Sequence, residues 1–418
     1  MTNERIYDVI LFGATGYTGK LVAEYLARTR SPKLRWAIAG RNREKLEAVR
    51  SDLEGIDSRL ADLPIVVANG LDRASLDVLA ARARVVATAA GPFAKYGNML
   101  PGTCARHGTH YCDLAGEVPF IRASIDASHA LAERTGAKIV HACGFDSVPF
   151  DLGVFMLALR ARAEGRDLAW AKGFATKIKG RVSGGTISSM IALMEDVNHR
   201  SDVRHMLANP YALNPDPETR TPVVNDQNMV RFDRDIGGFT APFIMSGINT
   251  RVVRRSGALL GYGGAPDSFR YDEAMSFPLS AKGFAMASAF TAGLAGLALA
   301  MAIPTTRNWL ARRVLPKPGE GPTKEQRDRG SFEVRLIGET TRGNKGHERL
   351  RLDALVAGNT DPGYGETATM LGESALCLAE DGDLLPKRAG VLTPASAMGD
   401  CLVTRLRRAK MTLEVSAT

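Results

Sequence analysis

Cysteine is scarce: five residues in 418, at positions 104, 112, 143, 377 and 401, odd in number and scattered. That spacing carries no disulfide framework and fits a reducing compartment. The first five residues, Met1 to Arg5, hold no apolar signal-peptide core, so a cytoplasmic protein is expected. Internal repeats are lacking, and so is any interleaving of basic with aromatic residues, at an aromatic content of only 6%. Nucleic acid is therefore not an expected partner. No metal is expected either. Cys104, His107, His110 and Cys112 resemble zinc ligands on paper, but they span a helix end, Gly108 and a strand. Such a path does not bring four ligands to one tetrahedral point.

An acidic excess is also missing. The 54 basic residues outnumber 45 acidic ones, for a net charge of +9. A basic surface suits an anionic membrane or acidic partners such as phosphopantetheine carriers. The hydrophobic fraction of 45% and charged fraction of 24% are those of a soluble globular protein, and the length suits two domains.

What is present begins at Gly13-Ala14-Thr15-Gly16-Tyr17-Thr18-Gly19. An apolar run, Val9 to Phe12, leads into it, and a helical pattern with Leu21, Val22, Tyr25 and Leu26 leaves it. Strand, glycine turn and helix together are the setting of a dinucleotide-binding turn. Glycines permit close approach of a pyrophosphate, and the first N–H groups of the helix face the anion. Gly13, Thr15, Gly16, Tyr17, Thr18 and Gly19 are thus candidate cofactor contacts. The next strand ends at Gly40-Arg41-Asn42-Arg43, where an NAD enzyme usually carries an acid. Arg41 and Arg43 instead offer guanidinium forks to a 2′-phosphate, which points to NADP(H).

Strand and helix alternate through about residue 145, as in a doubly wound parallel sheet. Ligands then lie beyond the carboxyl ends of the strands. Two more stretches fall there: Thr88, Ala89, Gly91, Pro92 and Phe93, then Gly144 and Asp146. Both are read as cofactor contacts. Tyr96 is a candidate proton donor, or an aromatic packed at a helix start. Ser183-Gly184-Gly185-Thr186 precedes a helix and could hold a developing oxyanion, with Thr186 as the catalytic candidate; an ordinary N-cap explains it equally well.

Later residues suggest a mixed α+β domain. Lys172–Lys179, Thr250–Arg255 and Arg270–Met275 read as strands, Phe332–Gly338 and Arg349–Val356 as an antiparallel pair, and 208–240 as an irregular excursion. Thr393-Pro394 opens a terminal helix. The expected division is 1–147 for the nucleotide domain, 148–390 for the second domain and 391–418 for a helix returning to the first. Gly283–Ile303 is apolar, uncharged and long enough to span a bilayer, which needs ~20 residues. Its Ala and Gly content favours a buried helix or helical hairpin. The alternatives are a surface that docks on membrane or takes an acyl chain, suggested by Trp309 among arginines, and a transmembrane helix.

Gly13–Gly19, Ala39-Gly40-Arg41, Ala90-Gly91-Pro92-Phe93, Tyr111-x-Asp113-x-x-Gly116-Glu117 and Cys143-Gly144-Phe145-Asp146-Ser147 occur in one order. In these motifs the chain resembles the saccharopine dehydrogenase-like oxidoreductases over nearly its whole length. Ile139–Asp151, Ser183–Ser189, Thr250–Ala258 and Gly390–Gly399 make it most similar to the trans-acting enoyl reductases of complex-lipid and polyketide synthesis. The resemblance implies a Rossmann domain with NADP(H), an inserted α+β domain and a C-terminal helix packed on the Rossmann unit. It further implies reduction of an enoyl double bond on an acyl-carrier-bound chain held by a synthase. Peripheral association with the inner face of the plasma membrane is a further expectation, and a homodimer is left open. A saccharopine-type imine dehydrogenase and a non-catalytic NADP-binding protein at a membrane are the competing readings.

Overall fold

A computed structural model describes residues 5–29, 31–180, 184–218, 225–264, 268–313, 321–342 and 348–417. In chain order, the first unit holds β1 (Tyr7–Phe12), α1 (Tyr17–Thr29), β2 (Trp36–Gly40), α2 (Arg43–Glu54), β3 (Ile65–Val67), α3 (Arg73–Arg82) and β4 (Ala83–Thr88). It continues with α4 (Phe93–Tyr96), α5 (Leu100–His107), β5 (His110–Asp113), α6 (Val118–Thr135) and β6 (Lys138–Val140). The helices start and stop where local chemistry says they should. Asn42 and Asp72 cap α2 and α3 through their side-chain oxygens. Gly108 and Gly136 end α5 and α6 in the left-handed conformation.

The second unit follows with α7 (Val148–Ala163), β7 (Leu168–Lys179), α8 (Gly184–His199), α9 (Ser201–Ala208), β8 (Arg231–Asp233), β9 (Gly238–Pro242) and α10 (Ser246–Leu260). Next come β10 (Arg270–Phe277), α11 (Ala281–Ala302), α12 (Pro304–Arg313), α13 (Lys324–Asp328), β11 (Ser331–Thr340) and β12 (Arg351–Gly358). The chain ends with α14 (Thr367–Glu380), β13 (Gly390–Leu392), α15 (Pro394–Arg408) and β14 (Thr412–Ala417).

Among the described residues two seven-stranded sheets form. The first is wholly parallel, in the order β13-β6-β5-β4-β1-β2-β3. The second is mixed, in the order β14-β12-β11-β7-β10-β9-β8. Strands of the parallel sheet are buried on both faces, which is why they read as continuous apolar runs rather than alternating ones. One apolar core joins the sheets, running from Leu11 on β1 through Leu157 on α7 to Leu336 on β11.

Several expectations change. Thr250–Arg255 is helical, inside α10. The sequence read as a strand, but Arg251, Arg254 and Arg255 recur at helical spacing and are all buried. Each finds a carbonyl oxygen, of Leu207, Pro210 and Leu213 respectively. Burial pushes the Arg255 pKa down to about 9. These bonds pin the otherwise irregular stretch after α9, whose last part forms the β8–β9 hairpin. The C-terminal stretch is shared between the two units. β13 adds a strand to the parallel sheet, α15 packs on α14 and α7, and β14 pairs with β12 in the second sheet. α14, placed by the sequence in the second domain, packs against β4, β5, β1 and α1 of the first. Finally, α11 is not a buried helix: only 11% of its most apolar stretch is covered.

Candidate active site

A cleft of about 420 Å³ opens at the carboxyl ends of the parallel strands, between the two units. Its floor is the glycine turn. Gly13 has φ +85°, and a Cβ there would meet Ala90 at 2.9 Å. A Cβ on Gly19 would come within 2.1 Å of the Gly13 carbonyl oxygen, so only glycine lets α1 pack on its own turn. Gly16 differs: its Cβ direction meets nothing closer than 3.5 Å, and the residue lines the cleft with Tyr17 and Thr18. Glycine at this point leaves room for a phosphate group to approach the first N–H groups of α1, which have no partner within the helix.

Arg41 is exposed and makes no ion pair among the described residues, whereas Arg43 pairs with Glu47 at 3.6 Å. A Cβ on Gly40 would lie 3.9 Å from Thr15 Oγ1, so Arg41 follows directly on the turn. An open glycine cradle, a helix N-terminus and an uncommitted guanidinium beside it fit a dinucleotide with a 2′-phosphate.

The other sequence candidates divide by position. Ala89, Gly91, Pro92, Phe93, Gly144, Asp146 and Thr186 line the cleft. Gly13, Thr15, Gly19 and Thr88 sit behind it; Thr88 Oγ1 accepts from the Ala90 N–H at 3.1 Å and braces the loop. Tyr96 is not among the lining residues. Its short helix closes at once, with the Gly97 N–H donating to the Phe93 carbonyl at 2.7 Å, and its backbone carbonyl packs on Gly70. Its ring holds the Lys95 ammonium 5.5 Å from the centroid. The proton-donor reading of Tyr96 is therefore not supported by position. Ser183 lies outside the described residues. The Gly184 N–H, proposed as an open donor, is taken by the Tyr364 hydroxyl at 3.0 Å.

Three of the lining residues without a role in the sequence reading shape the cleft. Glu117 is buried, and its carboxylate accepts from the N–H groups of Phe93 (2.9 Å) and Ala94 (2.7 Å) and from Ser189 Oγ (2.6 Å). It ties the Pro92 loop of the first unit to α8 of the second. Tyr364, in the turn before α14, packs edge-on against Tyr17 with ring centroids 4.9 Å apart. Tyr17 in turn donates to the Pro322 carbonyl and accepts from Arg327, so the fingerprint turn itself carries part of the contact between units. Gly116 faces Asp146: a Cβ there would lie 3.5 Å from Oδ2. Glu117 stood in a quoted motif, so a signal existed. Tyr364 is more than 300 residues from the fingerprint, and only folding brings the two together.

The cleft holds two acids in different surroundings. Glu117 accepts three hydrogen bonds. Asp146 has no hydrogen-bond partner among the described residues, and burial raises its pKa from 3.8 to about 6. The remaining wall is apolar, built from Met190 and Leu193 on α8, Leu207 on α9, and Ile244, Met245 and Ile248 at α10. No Lys, Arg or His occurs among the described lining residues. His107 and His110 bond elsewhere, to Asp77 and to the Lys138 N–H, and no group of three metal-binding side chains occurs among the described residues.

Comparison with known proteins agrees with this architecture. Residues 9–140 match the saccharopine dehydrogenase NADP binding domain. Over 424 aligned positions the chain is 41% identical to a putative trans-acting enoyl reductase of Mycobacterium tuberculosis, covering 99% of this chain and 98% of that one. It is 39% identical to a trans-acting enoyl reductase of Mycobacterium bovis, over 96% of both chains. Among solved structures, the apo saccharopine dehydrogenase (L-Glu forming) of Saccharomyces cerevisiae shares the fold, with a TM-score of 0.51 at 12% identity over 98% of this chain and 99% of that one.

Proposed function

The chain belongs to the trans-acting enoyl reductase family of saccharopine dehydrogenase-like oxidoreductases, and from that premise we propose that it reduces a carrier-bound enoyl thioester with NADPH. One observation carries the substrate class: the substrate wall is apolar and free of cations among the described residues. An imine dehydrogenase of the saccharopine type handles a substrate with several carboxylates, and burying those without a cation is costly. A long acyl chain suits the same wall through burial of apolar surface alone.

Bound NADPH would supply the hydride; Gly16, Tyr17, Thr18, the Ala89–Phe93 loop and Gly144 would hold it, with Arg41 on its 2′-phosphate. The chain's own residues then have distinct tasks. Thr186, in the first turn of α8, offers a hydroxyl to the thioester oxygen, where negative charge develops. The positive end of the helix favours that charge. Glu117, already accepting three hydrogen bonds, positions the Pro92 loop against α8. Asp146, with no hydrogen-bond partner among the described residues and its pKa raised by burial to about 6, is the lining acid able to lend a proton to the α-carbon near neutral pH. The +9 charge suits encounter with an acidic carrier domain of a synthase that lacks its own reductase, in the cytoplasm.

NADPH oxidation with a long-chain enoyl thioester on a phosphopantetheine carrier tests this directly. Consumption is expected, with little on a tricarboxylate imine pair. Bound cofactor without turnover of any enoyl thioester would reject the reading in favour of a binding protein.

A further inference from the structure

α11 is 22 residues long, apolar, and laid on the second unit by one face only. Gly283, Ala287 and Met301 on that face are buried. It rests on β9, β10 and α8, so it lies along the domain and does not leave it to cross a bilayer. The rest of the helix surface is largely bare: Phe284 and Met286, on either side of the buried stripe, are exposed at one end, and Leu299, 65% exposed, at the other. The patch continues beyond the helix. Phe284 packs edge-on against Phe239, which packs edge-on against Phe232 on β8, itself exposed, as is Met229. At the far end Ile303, which closes α11, and Trp309 of α12 are exposed, the latter by 60%. This span is far longer than a scattered surface residue explains.

We propose that this face docks on an anionic phospholipid bilayer, with α11 lying in the plane of the interface. Charge selects that occupant. Arg234 in the hairpin turn, Lys282 at the start of α11 and Arg313 at the end of α12 are exposed around the apolar face, and none makes an ion pair among the described residues. Uncommitted cations around a Trp-bearing apolar face match a headgroup layer above acyl chains. A second copy of the chain would bring the same cations against one another across a two-fold contact, in a protein already at +9. The site also has a route inward. α8 lines the cleft with Met190 and Leu193, and its far end is tied to α11 and α12 by Asn198 with the Ala302 carbonyl and by Glu195 with Arg307 at 3.7 Å. A docked enzyme therefore presents the apolar wall of its cleft next to the lipid phase.

Flotation of the full chain with phosphatidylcholine vesicles, with and without phosphatidylglycerol, is the test. Binding is expected with phosphatidylglycerol and strongly reduced without it, and Arg234→Gln or Lys282→Gln should each weaken partition about fivefold. Phe284→Glu with Leu299→Glu should abolish flotation while NADPH affinity and thermal unfolding stay as in the parent chain. The parent chain remaining with the soluble fraction for both vesicles overturns the proposal. So does flotation that the double variant retains. A concentration-dependent dimer dissolved by the same double variant, without lipid binding, would assign the face to a second copy instead. None of these readouts depends on the substrate, so they stand apart from the enoyl reductase assay.

Discussion

Replacing Glu117 by Gln removes one charge and keeps the shape, and the structure sets what that costs. Two oxygens now serve three donors: Oε1 takes the Phe93 N–H and Ser189 Oγ, and Oε2 takes the Ala94 N–H. Gln has one oxygen. If it keeps Phe93 and Ser189, its NH₂ faces the Ala94 N–H, and a donor meets a donor. An unsatisfied buried donor costs about 1–3 kcal/mol, and loss of charge weakens the two retained bonds by about 1 kcal/mol each. Relief of the buried charge returns part of this. A net loss of about 2 kcal/mol is expected, together with weaker NADPH binding, because the Pro92 loop lines the same cleft. Ser189→Ala removes a single bond and leaves the carboxylate with both backbone donors, so about 1 kcal/mol is expected. Denaturant unfolding and NADPH titration of both single variants and the double variant form a cycle, and a coupling of about 1 kcal/mol identifies the bridge between units. A Glu117→Gln chain more stable than Ser189→Ala, or a cycle with no coupling, would refute the assignment.

Three further outcomes follow from the site. Arg41→Ala should weaken NADPH about 10- to 100-fold and leave NADH unchanged, as expected for loss of charged hydrogen bonds to a 2′-phosphate, with a smaller effect for Arg43→Ala because Arg43 also serves Glu47; equal loss for both cofactors in a fluorescence titration would contradict the role. Gly19→Ala forces a Cβ onto the Gly13 carbonyl and should lower the melting temperature and abolish cofactor binding, whereas Gly16→Ala should fold like the parent and lose affinity only; calorimetry with and without NADPH separates them. Burial raises the Asp146 pKa from 3.8 to about 6, so its contribution to stability is complete below about pH 4 and lost as pH rises through about 6. Asp146→Asn should therefore remove that part of the pH dependence and cut turnover with NADPH affinity kept; an unchanged pH profile of the melting temperature would argue against it.

The nucleotide unit was legible because its signals are local. A glycine turn, capping residues such as Asp72 and continuous apolar strands each act within a few residues, and the arginines after β2 sit next to the turn they serve. Cofactor class and family followed from these stretches. Tertiary structure decided the rest. Whether Thr250–Arg255 is strand or helix depends on which carbonyls await its arginines, and those carbonyls belong to a loop some 40 residues away. Tyr96 looked well placed because it follows a cofactor loop, yet it is not among the residues that line the cleft. Glu117 and Tyr364 acquire roles only when α8 and the turn before α14 close over the cleft. The apolar run at 283–303 reads the same in sequence whether covered or bare. Composition records how hydrophobic a helix is, while packing alone decides what is left to cover it.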